Sequence, residues 1–277
     1  MASFKKIGSG VFIYIVMIFT IVISVFPILW VIMSAFKTNA QILGSPFSLP
    51  TAFHLAPFIS VYTQYNFLVY TMNSFLIASV STLIALIIYA MGAYVIAKYN
   101  FPGKSLFFVL FTLTLLVPGH SKAQPIFSMI LSLHLYDTKQ ALILVYLSGG
   151  MAMSMFVLKS AFQVIPSELN EAASIEGAGF FRIFSTINVP LARSGLATAG
   201  VLMFLGNWNE YFYAMLLTSS KANRTLPLAL GFFTEAFSYD YTKMFAALVM
   251  AIMPGIIIYM LVSEQVQASV ASSGVKG

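Results

Sequence analysis

The chain of 277 residues is 60% hydrophobic and only 8% charged, whereas an ordinary soluble domain is about 25% charged. A soluble core cannot bury so much apolar surface, so the composition excludes an ordinary soluble domain and predicts a protein solvated by lipid. The net charge of +6 comes from basic residues scattered between apolar runs, which favours membrane orientation over nucleic-acid binding. The absence of cysteine excludes disulfides and thiolate metal sites.

The N-terminal segment predicts an uncleaved first membrane span. Lys5 and Lys6 precede the apolar run 11–36, which carries no charge. A signal peptide has a shorter apolar region of about 7–15 residues, so we expect this run to stay in the protein. The two lysines favour a cytoplasmic N-terminus.

Apolar windows of the length of a membrane span recur along the chain, since a spanning helix needs roughly 20 mostly apolar residues. They cover residues 11–36, 67–97, 105–121, 140–158, 194–209 continued past Glu210 to 220, and 244–263. Backbone groups in lipid must be paired within the segment, and the windows lack the alternation of barrel strands. The sequence therefore predicts an all-α integral membrane protein with six transmembrane helices and both termini in the cytoplasm.

The segment 159–193, between the predicted fourth and fifth spans, is predicted to be cytoplasmic and helical. Pro166 and Ser167 precede Glu168, which is a helix start with acids in the first turn. Gly177 then interrupts the pattern, a second short helix is predicted over 180–187, and a proline closes the segment.

This segment also carries a motif of fixed spacing. It reads Glu171-Ala172-Ala173-Ser174-Ile175-Glu176-Gly177-Ala178, followed by Phe184, Ile187, Val189 and Pro190. The pattern resembles the EAA loop of the permeases of binding-protein-dependent ABC importers. Glu176 stands where that family usually has Asp, and Ser194 where a second Pro is common. The alternative interpretation is an ordinary amphipathic connector at the membrane surface.

The resemblance covers nearly the whole chain and is to the carbohydrate-importing, MalG-like branch. It implies the type I importer permease fold, with one transmembrane permease domain over 1–277. That domain has a cytoplasmic coupling helix in the EAA loop, about 159–193, and a cytoplasmic tail at about 264–277. The residues that it implies for coupling to ATPase subunits are Glu171, Ala172, Ala173, Glu176, Gly177, Ala178 and Pro190. In such a loop, alanines allow close approach to a partner's groove and Gly177 permits the turn between two short helices.

Partners follow from the same resemblance. It implies a second homologous permease, two ATP-binding-cassette ATPases and an extracytoplasmic sugar-binding protein, in the lipid of a bacterial cell membrane and without nucleic acid. This chain would form half of the path of a sugar importer. The family branch favours an oligosaccharide as the cargo and leaves glycerol-phosphate-type substrates open. ATP and Mg²⁺ would bind the ATPase subunits, so that we expect no cofactor and no catalytic site here. Gly103-Lys104-Ser105 is not a P-loop, because Lys98 occupies the position of the required earlier glycine.

Histidines give no indication of a metal site. His54, His120 and His134 are far apart in the sequence and lack the spacing of metal ligands.

A polar cluster lies inside the predicted fifth span. An acid at the centre of a span costs about 2.5–3.5 kcal/mol on insertion scales, so Glu210 must face protein or a water-filled cavity. One interpretation is a substrate path, in which the acid and amides bind sugar hydroxyls and the aromatic rings stack on sugars. The other is a structural hydrogen bond to a neighbouring helix or to the second permease. The candidates for the path are Asn207, Trp208, Asn209, Glu210, Tyr211 and Tyr213.

The alternative function is an ion-coupled secondary transporter or a channel. Such a transporter needs coupling-ion acids or two related halves with broken helices. Glu210 is the only acid well inside a predicted span, and no internal repeat is visible. An intramembrane enzyme would require a constellation of charged or metal-ligating residues that the sequence lacks. Neither alternative explains the EAA-like motif.

Overall fold

A computed structural model describes the backbone of residues 2–236 and 239–274, with the side chains of residues 12–233 and 239–260. Over these ranges the chain is helical and contains no β-strand, which confirms the predicted all-α class. A π-helical turn lies at Phe184–Asn188, and short 3₁₀ turns lie at Gly119–Lys122 and Lys221–Asn223. The α-helices are α1 (Ala2–Ser34), α2 (Asn39–Gly44), α3 (Ala56–Gln64), α4 (Phe67–Lys98), α5 (Lys104–Leu113), α6 (Ala123–Ser132), α7 (Lys139–Leu147), α8 (Met151–Val164), α9 (Glu168–Ile175), α10 (Phe180–Ile183), α11 (Val189–Leu191), α12 (Arg193–Trp208), α13 (Phe212–Leu217), α14 (Leu226–Ala236) and α15 (Tyr241–Gly274).

Three helices are long and apolar enough to cross a membrane by themselves, namely α1, α4 and α15. Two bent pairs reach the same length and hydropathy together: α7 with α8 at an angle of 51°, and Phe180–Leu191 with α12 at an angle of 82°. If each bent pair is one span, the described part of the chain holds up to five spans. The prediction of a multi-span helical membrane protein is confirmed, while six uninterrupted spans are not found in that part.

The predicted spans that differ from the structure contain an internal break. Window 105–121 forms only α5, whose 10 residues rise about 15 Å, roughly half of a hydrocarbon core of about 30 Å. An α-helix cannot continue through Pro118, because proline lacks the N–H that a helix interior requires. A 3₁₀ turn begins directly after this proline. The window 194–220 is likewise two helices, α12 and α13, with Glu210 in the break between them.

The chain forms two compact units, residues 1–67 with 230–253 and residues 68–229 with 254–277. Only part of the predicted cytoplasmic tail, 264–277, can be compared with the structure. The backbone of α15 runs to Gly274, and the last three residues and the tail's side chains lie outside the described residues.

In the first unit, a small aromatic core holds the segment that follows α1. The ring of Trp30 meets the edge of Phe245 with centroids 5.2 Å apart, beside the buried Ile42. The Trp30 indole and the buried Lys37 ammonium both donate to the carbonyl of Pro46, at 2.9 and 2.7 Å. The side chains of α1 from residue 12 to 29 are exposed, so that within this chain the helix offers its apolar surface to lipid or to another subunit.

In the second unit, α12 packs closely on α8. A Cβ placed on Gly195 would lie 2.4 Å from the Cβ of Ala161, a separation that side-chain atoms cannot adopt. Small residues at such a contact let two helix backbones approach closely. The van der Waals packing that results is a main source of helix association in lipid. Around this contact the buried side chains of α4, α8 and α12 form one core, with Phe162 and Tyr94 at its centre.

A hydrogen-bonded clamp joins the turn before α7 to the segment after α13. Asp137 has a φ of +57°, which aspartate tolerates better than most residues, and its N–H donates to the carbonyl of Leu217 at 2.9 Å. Its Oδ1 accepts from the backbone amides of Ser219 at 2.9 Å and Ser220 at 3.1 Å. Although partial desolvation opposes ionisation, these hydrogen bonds and those from the Ser220 and Asn223 side chains lower the pKa of Asp137.

We expect Gly195→Ala to destabilise the protein by about 1–3 kcal/mol, because the new methyl group overpacks the contact between α8 and α12. The measurement is the melting temperature of the purified protein in a mild detergent. Gly206→Ala is the matched control on the same helix, where an added Cβ meets no described atom within 4 Å. Equal melting temperatures for the two variants would contradict this close packing.

Candidate functional site

The EAA-like loop, residues 159–193, presents helix α9 on the surface of the chain. Ile175 at the end of α9 is 88% exposed, and Leu169, six residues earlier on the same helix, is also exposed. Helices that bind in a partner's groove present exposed apolar side chains of this kind on one face. Of the residues predicted for coupling, Ala173 and Ala178 are half-buried and the others are exposed: Glu171, Ala172, Glu176, Gly177 and Pro190.

Gly177 ends α9 with a left-handed turn. Its φ is +83°, a region that costs a residue with a Cβ roughly 1–2 kcal/mol. The amide of Ala178 donates to the carbonyl of Ala173 at 2.9 Å and that of Gly177 to Ser174 at 3.0 Å, the two bonds of a Schellman motif. A Cβ on Gly177 would meet no described atom within 4 Å, so the backbone conformation, rather than space, requires glycine.

The helix that follows this turn is longer than predicted. Instead of ending at Ile187, the chain winds through α10, the π-helical turn and α11 as far as Leu191. Pro190 is compatible with this continuation because it occupies the first turn of α11.

A cavity of about 480 Å³ lies in the second unit, where two interrupted helical segments meet. One interruption, at residues 148–150, separates α7 from α8, and the other, at 209–211, separates α12 from α13. Irregular backbone is tolerated at membrane depth where it lines a cavity, and this volume is within the range of about 300–1,000 Å³ of ligand pockets. The polar side chains of the lining are Thr114, Lys122, Tyr146, Ser148, Asn207, Glu210 and Tyr213.

Glu210 belongs to the cavity lining and also caps a helix. Its carboxylate accepts hydrogen bonds from the Tyr146 hydroxyl at 2.6 Å and from the backbone amides of Tyr213 at 2.8 Å and Ala214 at 3.1 Å. Both amides lie in the first turn of α13, where N–H groups have no partner within the helix. These donors compensate the carboxylate for the water it has lost, so the structural interpretation of Glu210 has direct geometric support.

Asn207 joins the cavity wall to α4. It is buried, and its Nδ2 donates to the hydroxyls of Ser81 at 3.1 Å and Thr82 at 3.2 Å. Its Oδ1 lies 3.3 Å from the position that a Cβ on Gly149 would take. The glycine in the break between α7 and α8 therefore leaves the room that Asn207 occupies.

The structure divides the predicted path residues into two groups. Asn207, Glu210 and Tyr213 line the cavity. The other three lie outside its lining: Trp208 is buried and stacks on Phe204, with ring centroids 5.9 Å apart, Asn209 bonds to a carbonyl of its own helix, and Tyr211 is exposed.

Sequence reasoning did not identify Tyr146, Lys122 or Gly149 as part of this site. Two adjacent glycines inside the apolar window 140–158 were the available signal, because such a pair interrupts a helix. Tyr146 itself has no local mark, since its partner Glu210 lies 64 residues further along the chain.

The described residues contain no group of three or more His, Asp or Glu side chains that could hold a metal ion. The ring of His120 packs against Phe212 with centroids 4.3 Å apart.

Comparison with known proteins places the chain in a family. The family of the binding-protein-dependent transport system inner membrane component matches residues 7–272. The diacetylchitobiose uptake system permease protein NgcG of Streptomyces coelicolor is 32% identical over 252 residues, covering 90% of this chain and 83% of the relative. The trehalose transport system permease protein SugB of Mycobacterium tuberculosis is 31% identical over 253 residues, covering 91% and 92%.

The fold is also found in a solved structure. A chain in the crystal structure of a bacterial ABC transporter involved in the import of the acidic polysaccharide alginate superposes with a TM-score of 0.81. The match covers 94% of this chain and 96% of that chain at 24% sequence identity, and it confirms the predicted importer permease fold. The chain is a multi-pass membrane protein and a member of the family of inner membrane components of binding-protein-dependent transport systems.

Proposed function

We propose that this chain is one of two permease subunits of an ATP-driven sugar importer in a bacterial cell membrane, with an oligosaccharide as the preferred cargo. A second homologous permease forms the other half of the path. Two ATP-binding-cassette subunits bind and hydrolyse ATP with Mg²⁺, and an extracytoplasmic binding protein delivers the sugar. This chain supplies the path and the coupling, and it holds no ATP site of its own.

The sugar class is supported by two independent features. Two relatives are named for the uptake of diacetylchitobiose and trehalose, which are both saccharides. The cavity also offers a hydroxyl, an amide and a carboxylate, which together can accept from and donate to the hydroxyls of a sugar.

The coupling surface is carried by one observation, the 88% exposure of Ile175 at the end of α9. Together with the exposed Leu169 and Ala172, this side chain gives α9 an apolar surface that a partner's groove can cover. In the proposal both termini and the loop 159–193 face the cytoplasm, where α9 docks on an ATPase subunit. Glu171 forms no ion pair with any described residue, which leaves its carboxylate available to a basic residue of that subunit.

The substrate path is proposed to include Asn207, Glu210 and Tyr213, which share the cavity with Tyr146. Trp208, Asn209 and Tyr211 are proposed to support it from outside the lining. Because Glu210 also caps α13, it would have two roles, to hold the break in the span open and to accept hydrogen bonds from sugar hydroxyls.

The first test is affinity purification of the chain from its native membrane in mild detergent, with mass analysis of the proteins that accompany it. We expect an ATPase subunit and a second permease in a defined ratio. Glu171→Lys should lower the yield of ATPase about tenfold while the second permease is retained, because hydrogen bonds to charged groups contribute about 1.5–3 kcal/mol.

The control for Glu171→Lys is Ser185→Lys, which introduces the same side chain at an exposed position elsewhere on the loop. Purification of the wild-type chain alone, active in ion-driven uptake after reconstitution, would contradict the proposal and favour a secondary transporter.

Gly177→Val is expected to abolish uptake while insertion into the membrane is retained, because a β-branched residue cannot adopt the φ of +83° that ends α9. Gly177→Asn should keep part of the activity, since asparagine tolerates this region. Gly179→Ala, at a φ of −76°, is the control and should transport normally. Uptake assays on membrane vesicles check all three, and normal uptake by Gly177→Val would refute the role of the turn.

Glu210→Ala is expected to lower uptake by about tenfold or more, because it removes charge-assisted hydrogen bonds from the cavity. If the residue belongs to the path, the variant still co-purifies with its ATPase. Gln124→Ala, at an exposed position of α6 outside the cavity lining, is the control and should change uptake little. Loss of the assembled complex in Glu210→Ala would instead assign Glu210 a purely structural role.

A further inference from the structure

Tyr94, near the end of α4, lies at the centre of an aromatic cluster that carries the EAA-like loop. Its side chain is completely buried. Its ring lies 5.4 Å from Phe180 and 5.3 Å from Phe184, both in the helix after the Gly177 turn, and 5.7 Å from Phe162 in α8. Aromatic pairs at these separations attract each other beyond the burial of their area. One residue of a membrane span is thus packed against both helices that flank α9.

The hydroxyl of Tyr94 also reaches α9 itself. Asn170 of α9 donates from Nδ2 to the Tyr94 hydroxyl at 3.5 Å, which is at the long limit of a hydrogen bond. Its Oδ1 accepts from the Nδ2 of Asn188 at 2.8 Å. Asn170 therefore has a short bond to the helix that follows α9 and a long bond to α4. A small displacement of α9 is sufficient to form or break the long one.

Asn188 leaves this network incomplete. It is fully buried at the end of the π-helical turn Phe184–Asn188, and its Oδ1 has no hydrogen-bond partner among the described residues. A buried acceptor without a donor costs about 1–3 kcal/mol, so an arrangement that supplies a donor would be favoured. π-Helical turns are frequent at functional sites. The network can therefore gain a hydrogen bond when its members move.

Helix α4 connects this network to the cavity. Ser81 and Thr82 of α4 accept the hydrogen bonds of Asn207 in the cavity wall. Thr82 precedes Tyr94 on an uninterrupted helix, by about 18 Å at a rise of 1.5 Å per residue. The unbroken helix thus links the aromatic cluster to the hydroxyls that hold Asn207. A second contact, from the Lys98 ammonium to the carbonyl of Ile165, keeps the end of α4 attached to the start of the loop.

We propose that Tyr94, Asn170 and Asn188 form a joint through which displacement of α9 is transmitted along α4 to the cavity, with the Tyr94 hydroxyl as the positioning group. This inference rests on the proposed docking of α9 on an ATPase subunit. Tyr94 touches neither sugar nor nucleotide, and it acts by making the response of the cavity depend on the position of α9.

The test uses the absence of cysteine from the chain. In a Ser148→Cys background, the only thiol of this chain lines the cavity, and its rate of alkylation by a maleimide reports on the opening of the cavity. The purified complex is labelled with and without ATP and Mg²⁺, and ATP hydrolysis and the ATPase yield are measured in parallel. No knowledge of the sugar is required.

Tyr94→Phe is the informative variant, because it keeps the buried ring and removes only the hydroxyl. We expect normal ATPase yield and a change in labelling rate on ATP addition that is about threefold to tenfold smaller than in the parent, because the hydroxyl loses its contacts to Asn170 at 3.5 Å and to the Tyr99 hydroxyl at 3.4 Å. Asn170→Leu, at a partly exposed position, should cause a similar loss, and the double variant should lose little more.

Tyr89→Phe is the matched control, since it removes another buried hydroxyl of α4, one that donates to Leu147 in α7 and not to the loop. Its effect should add to that of Asn170→Leu. A response to ATP in Tyr94→Phe equal to that of the parent, or effects of Tyr94→Phe and Asn170→Leu that simply add, would overturn the joint. Absence of ATPase subunits from the parent complex would overturn the proposed docking, and the joint with it.

Discussion

A polar group inside an apolar, lipid-solvated segment must find its hydrogen-bond partners within the protein, and the described structure depends on this constraint. The fifth apolar window contains an acid and two amides in place of a continuous hydrophobic surface. The helix breaks at that point, and the Glu210 carboxylate pairs with a tyrosine hydroxyl and the free amides of α13. Breaking the helix supplies the donors that the acid needs, and the acid supplies the acceptor that the new helix start needs.

The same constraint explains where the cavity forms. The break between α7 and α8 lies beside the break between α12 and α13, since Asn207 fills the space left by a glycine at residue 149. Side chains from both breaks line the resulting volume of about 480 Å³. A transport path requires polar groups at membrane depth that are paired but still accessible, and interrupted helices are one way in which membrane transport proteins provide them.

Helix α4 gives the second unit its continuity, because it is the long unbroken helix in contact with both sites. Ser81 in the middle of α4 accepts a hydrogen bond from Asn207. Near the end of the helix, Tyr94 packs against the aromatic side chains of the EAA-like loop. A continuous helix transmits displacement over such a distance better than a broken one. In the proposed joint, the coupling between the two sites depends on contacts in the middle of this helix and near its end.

The sequence by itself determined the features that depend on composition and on near neighbours. Low charge and repeated apolar windows were sufficient for an all-α membrane protein, because lipid admits few backbone structures. The EAA-like spacing and Gly177 located an exposed short helix and its left-handed turn, since a Schellman motif is built from residues five apart or fewer. The count of spans was less certain because Pro118 and Glu210 break windows that hydropathy alone joins. Only the tertiary structure decided which polar and aromatic side chains meet: Tyr146 lies 64 residues from Glu210, and Tyr94 lies 76 residues from Asn170. Trp208 and Tyr213 are equally aromatic in the sequence, yet one is buried against Phe204 and the other lines the cavity, because the break in the helix turns them to different surroundings.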